Sequence, residues 1–128
     1  AKACTTYISQ NISNYYSAIG GSNPRAKVDS LLGNLGTKVF HANNDSVTNE
    51  WAARTIGKAF INVGGISLGN GQSINMNQQL NFLIEPQEFT MLKSGGLVNE
   101  LQVEGIITVA GRRWSNDKNY YQATFLQD

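Results

Sequence analysis

Short runs of strand-forming residues alternate with helical stripes over the first 58 residues of the chain. Residues 3–9 are rich in Thr, Tyr and Ile, and residues 37–42 form a second run of the same kind. Such runs favour β-strands, and the apolar spacing of the segments between and after them favours helices. The order strand–helix–strand–helix predicts a right-handed crossover and two parallel strands. We therefore expect an α/β fold whose first unit, residues 1–58, is a βαβα arrangement.

Capping residues and apolar spacing place the helices of this unit. A short first helix is predicted over residues 15–19, before Gly20. Pro24 is typical of a first helical turn, and it opens a second helix with apolar residues at the spacing i, i+3, i+4 and i+7, namely Val28, Leu31, Leu32 and Leu35. Asp45 is the predicted cap of a third helix that ends at Gly57. Its buried side is predicted to consist of Val47, Trp51, Thr55 and Ile56.

The second half of the chain has a different composition. Residues 62–81 are rich in Gly, Asn, Gln and Ser with weak apolar periodicity, which predicts that residues 59–84 form a loop-rich segment. Residues 85–128 predict a short helix that begins at Pro86, followed by an antiparallel hairpin with arms 103–109 and 120–126. We expect all 128 residues to form one domain, since this length suffices for a single hydrophobic core.

Charge and composition exclude several functions of the chain as a whole. Ten basic and nine acidic residues give a formal net charge of +1, so there is no strong overall attraction for nucleic acid or membrane surfaces. The single cysteine, Cys4, can form neither an internal disulfide nor a cysteine-rich zinc site. No apolar run approaches the roughly 20 residues of a membrane-spanning helix. Because Ala1 leads directly into a strand-like run, we expect the chain to be part of a longer protein.

Two patterns resemble catalytic motifs but lack their sequence context. Residues 33–38 resemble a phosphate loop, yet they contain Gly-Thr-Lys where that motif needs Gly-Lys followed by Ser or Thr. A helix also precedes them, where the motif needs a strand. Ser9, His41 and Asp45 are the residue types of a catalytic triad, but no nucleophile-elbow sequence surrounds Ser9. We interpret His41 as a structural residue.

Polar residues follow both predicted strands, at the ends where open α/β sheets bind ligands. One cluster is Ser9, Gln10 and Asn11 at the end of the first strand, and the other is Asn43, Asn44 and Asp45 after the second. Parallel strands would bring the two clusters to one edge of the sheet. Gln10 is the best candidate for a ligand-sensing residue, because its amide both donates and accepts hydrogen bonds. The alternative is that these residues only cap helices and turns, positions that Asn and Asp favour.

Two adjacent arginines, Arg112 and Arg113, end the first hairpin arm directly before Trp114. Arginines beside an aromatic residue suit phosphate binding, or a contact with nucleotide held by a neighbouring subunit. The alternative is a solvated strand end, since arginines are common on protein surfaces.

Four stretches of the chain carry a family resemblance when they are taken together. They are residues 6–15 (TYISQNISNY), 31–45 (LLGNLGTKVFHANND), 48–58 (TNEWAARTIGK) and 88–96 (EFTMLKSGG). The later residues 103–107 (VEGII) and 111–114 (GRRW) also fit. The combination resembles the C-terminal part of the motor domain of the TraG/TraD-type coupling proteins of conjugative type IV secretion. It covers most of the chain, and residues 59–81 contribute least.

The resemblance implies a partial RecA-like parallel sheet with flanking helices and a C-terminal antiparallel hairpin. It also implies a homo-hexameric DNA-pumping ATPase, anchored at the cytoplasmic side of the bacterial inner membrane, with relaxosome proteins and single-stranded DNA as partners. The full-length protein would bind ATP and Mg. The family's phosphate loop and acidic magnesium site are not in this chain, so we expect neither a cofactor nor ATP hydrolysis for the chain alone. Gln10 falls where the family places a nucleotide-sensing glutamine.

Two other functions fit the sequence. One is a non-catalytic docking module of the conjugation machinery, with the hairpin and the segment after Lys58 as its surface. The other is a small α/β enzyme that uses the edge formed by Gln10 and residues 43–45. No nucleophile, metal set or cofactor motif in the sequence supports this second alternative.

Overall fold

A computed structural model of the chain describes residues 4–67 and 73–127, with the backbone alone for 61–67 and 73–78. The α-helices in these residues are Ile12–Ile19 (α1), Pro24–Gly33 (α2) and Ser46–Ile56 (α3). The strands are Thr37–His41 (β1), Lys58–Ser67 (β2), Ser73–Phe82 (β3), Gln102–Val109 (β4) and Tyr120–Leu126 (β5). Two 3₁₀ helices, Pro86–Met91 and Leu97–Asn99, lie between β3 and β4. No helix in the described residues is long and apolar enough to span a membrane.

The three predicted α-helices are confirmed, although α2 ends at Gly33, before Leu35 of its predicted apolar stripe. Helix α1 begins three residues before the predicted start, because the Asn11 side chain caps it by accepting a hydrogen bond from the backbone N–H of Asn14 at 2.9 Å. Pro24 occupies the first turn of α2, and Asp45 caps α3 as predicted. The first 3₁₀ helix begins at the residue where the sequence predicts a short helix.

Strand β4 is the centre of a three-stranded antiparallel sheet with the order β1-β4-β5. Val39 of β1 lies opposite Ile107 of β4, and Ile107 lies opposite Tyr121 of β5. The predicted C-terminal hairpin is therefore confirmed. Successive residues of a strand point to opposite faces of the sheet. Even-numbered residues such as Phe40 and Ile106 pack against the core beside α3, and the odd-numbered residues form the other face.

The fold is mixed α/β, as predicted, but the parallel pair expected between residues 3–9 and 37–42 is not formed in the described residues. Residues 4–9 lie outside any strand, residue 3 lies outside the description, and β1 pairs antiparallel with β4. The reason is the burial that each possible partner offers. Strand β4 brings Ile106 and Ile107 beside the apolar residues of β1, whereas residues 4–9 bury nothing, and Ile8 is 93% exposed.

The segment predicted to be loop-rich, residues 59–84, instead contains a second antiparallel pair. Strands β2 and β3 align from Lys58 opposite Phe82 to Ser67 opposite Ser73. Gly and Asn have low strand propensity, which hides this pair from a search for apolar alternation. Backbone pairing between neighbours in sequence needs no such alternation, because the hydrogen-bond ladder is made by the main chain.

The buried hydrophobic residues of the described chain form two clusters, and α3 contacts both of them. The larger cluster lies between α3, the three-stranded sheet and the 3₁₀ segment, by which we mean the first 3₁₀ helix and the residues after it (86–94). Its buried residues are Ala52, Ala53, Ile56, Ile84, Phe89 and Ile106. The smaller lies between α1, α2 and α3, and its buried residues are Ile12, Val28 and Leu32. The predicted buried side of α3 is partly wrong, since the helix buries Asn49, Ala52, Ala53 and Ile56, while Val47 and Thr55 are exposed. The small alanines allow the first 3₁₀ helix to approach α3 closely.

Candidate functional site

The two predicted polar clusters meet at a cavity of about 630 Å³ beside the carboxyl end of β1. Gln10 and Asn11 line one side of it, and Asn43 and Asn44 line another. They meet although residues 4–9 form no strand, because the two segments are tied together directly. The side-chain N–H of Asn43 donates to the backbone carbonyl of Gln10 at 2.7 Å.

Asn43 is the residue that organises this end of the sheet. Its side-chain oxygen accepts from the backbone N–H of Asp45 at 2.8 Å, and its backbone carbonyl accepts from the Asn49 side chain at 2.8 Å. Its own backbone N–H donates to the carbonyl of Phe89 at 3.2 Å. Asn43 therefore holds together the segment before α1, the start of α3 and the 3₁₀ segment. These bonds occupy its amide, which makes it a structural residue of the site.

Asn11 and Asp45 also have structural roles, as the alternative interpretation of the strand ends predicts. Asn11 caps α1, and Asp45 lies outside the cavity lining and caps α3. The Asp45 carboxylate accepts from the backbone N–H of Thr48 at 3.2 Å and from its hydroxyl at 2.6 Å. The Thr48 hydroxyl oxygen in turn accepts from the backbone N–H of Ile12 at 2.9 Å. This chain of bonds joins the first turns of α1 and α3.

Gln10 and Asn44 are the two predicted residues whose side chains are available to a ligand. Both are exposed and line the cavity, and neither side-chain amide is hydrogen-bonded to any other described residue. Each carries a donor and an acceptor on a short, neutral group. They can recognise an oxygen-rich ligand or an ordered water without any change of charge.

His41 and Ser9 line the same cavity but do not form a catalytic arrangement with Asp45. The Ser9 hydroxyl donates to the carbonyl of Asn11 at 2.8 Å. His41 Nδ1 lies 3.1 Å from the carbonyl of Glu104, which can only accept and so receives the ring N–H. Because the members of the triad are each bonded elsewhere, the site has no activated nucleophile.

One wall of the cavity, formed by the first 3₁₀ helix and the residues directly after it, was not predicted from the sequence. This wall comes from a part of the chain more than 40 residues after β1, and it consists of Phe89, Thr90, Leu92 and Ser94. Asn49 was not predicted either, although its side chain is buried, with 3% exposure. Asn49 lies three residues before Ala52, on the buried side of α3. A buried amide at such a position is expected to be hydrogen-bonded.

The cavity is polar and neutral. Among the described residues its lining contains no Asp, Glu, Lys or Arg, and five of the lining residues carry side-chain amides, which are Gln10, Asn11, Asn43, Asn44 and Asn49. In the part of the chain that is described, no three His, Cys, Asp or Glu side chains converge as metal ligands. At the other end of β1, burial lowers the pKa of Lys38, whose ammonium group donates to the carbonyl of Leu35 at 2.6 Å. The arrangement suits hydrogen-bond recognition and contains no acid–base pair.

The predicted arginines lie away from this cavity, in the connection between β4 and β5. The Arg112 guanidinium carbon lies 4.6 Å from the centre of the Trp114 ring, and Arg113 forms an exposed ion pair with Asp117 at 3.4 Å. Neither arginine lines the cavity, so the structure does not join them to Gln10 in one site.

Comparisons of this chain with protein-family models, with curated proteins and with solved structures found no match. Function is therefore inferred from the residues of the chain.

Proposed function

We propose that the chain is the C-terminal part of the motor domain of a conjugative DNA-transfer coupling ATPase, and that Gln10 senses nucleotide at its cavity. The observation that carries this proposal is the free amide of Gln10 at the mouth of a neutral cavity. Gln10 is also the residue that the TraG/TraD-type resemblance selects. Asn43 supports the role, because its 2.7 Å bond to the Gln10 carbonyl holds the backbone of the sensor against the start of α3.

The cofactors of the proposed motor are ATP and Mg, bound chiefly by residues outside this chain. The cavity offers amides and hydroxyls rather than carboxylates, so its residues fit contacts with nucleotide oxygens or with water better than direct binding of a cation. A glutamine in this position reports whether the terminal phosphate is present, because its amide gains or loses a hydrogen-bond partner.

Residues 4–9 are the segment that would supply the parallel pairing of a RecA-like sheet. We infer that in the assembled motor these residues pair in parallel with a neighbouring strand at the free edge of the sheet beside β1. Within the described residues β1 pairs along one edge only, with β4, and Asn43 just after β1 bonds the carbonyl of Gln10, which directly follows residues 4–9. Tyr7 and Ile8 are exposed, and pairing would place one of them on the core-facing side of the sheet, because successive residues of a strand point to opposite faces.

Other subunits of a homo-hexamer, relaxosome proteins and single-stranded DNA are the partners of this proposed motor. Its place is the cytoplasmic side of the bacterial inner membrane. This chain would complete the motor fold and contribute to the subunit interface, without hydrolysing ATP alone.

The test of the sensor role is the Gln10→Ala substitution in the full-length protein. We expect DNA-stimulated ATPase activity to fall by about tenfold, in line with the loss of one hydrogen bond made in the transition state. Gln87→Ala is the matched control, since Gln87 is an exposed glutamine that does not line the cavity. Equal activity of the Gln10→Ala variant and the wild type would reject nucleotide sensing by Gln10.

A docking module of the conjugation machinery is a second candidate function, favoured by an exposed apolar pair. Phe60 of β2 lies opposite Leu80 of β3, and Phe60 is 69% exposed. This pair lies in the segment after Lys58. If the chain docks relaxosome proteins there, the Phe60→Ser variant loses their capture by the immobilised chain. Capture unchanged by Phe60→Ser would exclude this surface.

A further inference from the structure

Strand β5 lies at the edge of the three-stranded sheet, and its outer side is unpaired within the described residues. The order of the sheet is β1-β4-β5, so β4 pairs along one side of Tyr120–Leu126 only. A strand of seven residues is about 24 Å long. An open edge of this length presents a row of backbone N–H and C=O groups with which another strand can pair.

The open edge of β5 lacks the features that usually prevent such pairing. Those features are charged side chains, proline and β-bulges. Residues 120–127 contain neither a charged residue nor a proline. The pairing of β5 with β4 is regular, from Tyr120 opposite Thr108 to Leu126 opposite Gln102, with one partner for each residue. Strand β5 is therefore a regular, uncharged edge that is open to a further strand.

Every second residue of β5 points its backbone groups toward the open edge. The backbone N–H of Gln127 donates to the carbonyl of Leu101, on the β4 side, at 2.7 Å. Because bonded and non-bonded pairs alternate in an antiparallel ladder, Ala123 and the other odd-numbered residues also bond β4. The residues that point outward are the even-numbered ones, Tyr120, Gln122, Thr124 and Leu126. The carbonyl of Tyr120 accepts from the Asn116 side chain at 3.4 Å, so the edge is most open around Gln122 and Thr124.

The side chains of β5 match those of the same strand in a second copy that runs in the opposite direction. With Ala123 opposite Ala123 of that copy, Tyr121 faces Phe125 and Gln122 faces Thr124. Aromatic pairs directly across two strands are favourable, and uncharged strands avoid like-charge repulsion. The two alanines form a non-hydrogen-bonded pair, whose Cα atoms approach to about 4.5 Å, so small side chains suit this position. In this register the strand is complementary to itself.

We propose that two copies of the chain associate through their β5 edges, so that their two three-stranded sheets become one continuous antiparallel sheet. A two-fold axis passes between the two Ala123 residues. On each side of the axis, Gln122 of one copy and Thr124 of the other exchange backbone hydrogen bonds, which supply the affinity of such edge pairing. The rings of Tyr121 and Phe125, which are 43% and 44% exposed in one copy, come together in two pairs across the junction.

The symmetry of the match favours a second copy over an unrelated strand. An unrelated segment would have to supply both aromatic residues in the right register, whereas a second copy supplies them by the two-fold axis. Such a contact is isologous, since the same residues are used on both sides, while the subunits of a ring meet through heterologous contacts. The inference therefore goes beyond the proposed function. It also concerns the edge of the sheet opposite to β1, away from the Gln10 cavity.

Sedimentation velocity of the chain itself, over a series of concentrations, tests the proposal. We expect a monomer–dimer equilibrium. Ala123→Lys and Ala123→Glu each place like charges opposite each other at the two-fold axis, and each should raise the dissociation constant of the dimer about tenfold or more. An equimolar mixture of the two variants should restore the dimer, because Lys then faces Glu. A variant that merely failed to fold would not be rescued in this way, and circular dichroism checks the fold of each.

A second variant and a matched control separate this edge from other surfaces. Thr124→Pro removes an N–H that points to the open edge, where proline is tolerated, and should also prevent dimerisation. Ala26→Lys adds the same charge to an exposed alanine of α2 and should dimerise as the wild type does. A wild type that stays monomeric at every concentration would overturn the proposal, as would a dimer that Ala123→Lys and Thr124→Pro leave intact. No nucleotide is present, so neither result bears on the Gln10 test.

Discussion

Asn43 and Asn44 are the same residue type at adjacent positions, yet their surroundings give them opposite roles. The Asn43 side chain donates to the carbonyl of Gln10 and accepts from the N–H of Asp45. The Asn44 side chain is exposed and has no partner among the described residues. A bonded amide at a junction of three segments stabilises the fold, whereas a free amide at the cavity is available for a ligand.

We expect Asn43→Ala to lower the free energy of unfolding by about 2 kcal/mol, because it removes two side-chain hydrogen bonds and leaves their partners unpaired. Asn44→Ala is the control and should change the free energy of unfolding by no more than about 0.5 kcal/mol. Urea unfolding followed by circular dichroism measures both. Similar losses for the two variants would mean that Asn43 does not hold the junction.

Helix α3 positions the site because its ends and its sides contact different parts of the chain. Asp45 caps its start, and the Thr48 hydroxyl there accepts from the backbone of Ile12 in α1. Ala52 and Ala53 face the larger core cluster, and Gly57 ends the helix with its N–H bonded to the Ala53 carbonyl. The helix therefore carries the cavity at its N-terminal end and the main core along its length.

Removal of the cap by Asp45→Ala should cost about 1 kcal/mol of stability, since the first-turn N–H of Thr48 loses its acceptor. Asp29→Ala is a suitable control, because Asp29 is exposed in the middle of α2 and caps no helix. Thermal unfolding compares the two variants at the same pH. The cap role is excluded if Asp29→Ala lowers the melting temperature as much as Asp45→Ala.

At the scale of the whole molecule, an aromatic contact joins the two core clusters. Trp51 packs against the smaller cluster, and Phe40 packs against the larger one. Their ring centres are 5.6 Å apart in an edge-to-face arrangement, which is a favourable geometry for an aromatic pair. Phe40 makes a second such contact with Phe89, at 5.9 Å. The contact of Trp51 with Phe40 is thus a mechanical link between the helical layer and the sheet.

Trp51→Ala should lower the free energy of unfolding by about 3 kcal/mol, through lost burial and the cavity that it leaves. It should also uncouple the clusters, so that the amides of α1 and α2 exchange hydrogen faster than those of β4. Trp51→Phe keeps an aromatic ring and should retain most of the coupling. If the amides of α1 and β4 stay equally protected in Trp51→Ala, the clusters do not depend on this contact.

Local signals in the sequence predicted the elements whose structure depends on neighbours in the chain. Pro24 and Asp45 marked helix starts, and the alternation in residues 103–109 and 120–126 marked the C-terminal hairpin. The β2–β3 pair was missed, because residues 59–84 are poor in the apolar alternation on which strand prediction depends. The hydrogen-bond partners of a side-chain amide are likewise not visible in the sequence. The sequence could therefore place Gln10 and Asn43 in one site without showing which amide was free.

Residue types and spacing alone determined a mixed α/β chain, its helix caps and the polar residues that would meet at one end of β1. Only the tertiary structure decided that β1 pairs antiparallel with β4, because strand pairing depends on which distant edge can bury the residues of β1. It also decided that Asn11, Asn43 and Asp45 are structural while Gln10 and Asn44 are free. The physical reason is that the role of an amide or carboxylate depends on its hydrogen-bond partners, and many of these lie far away in the sequence.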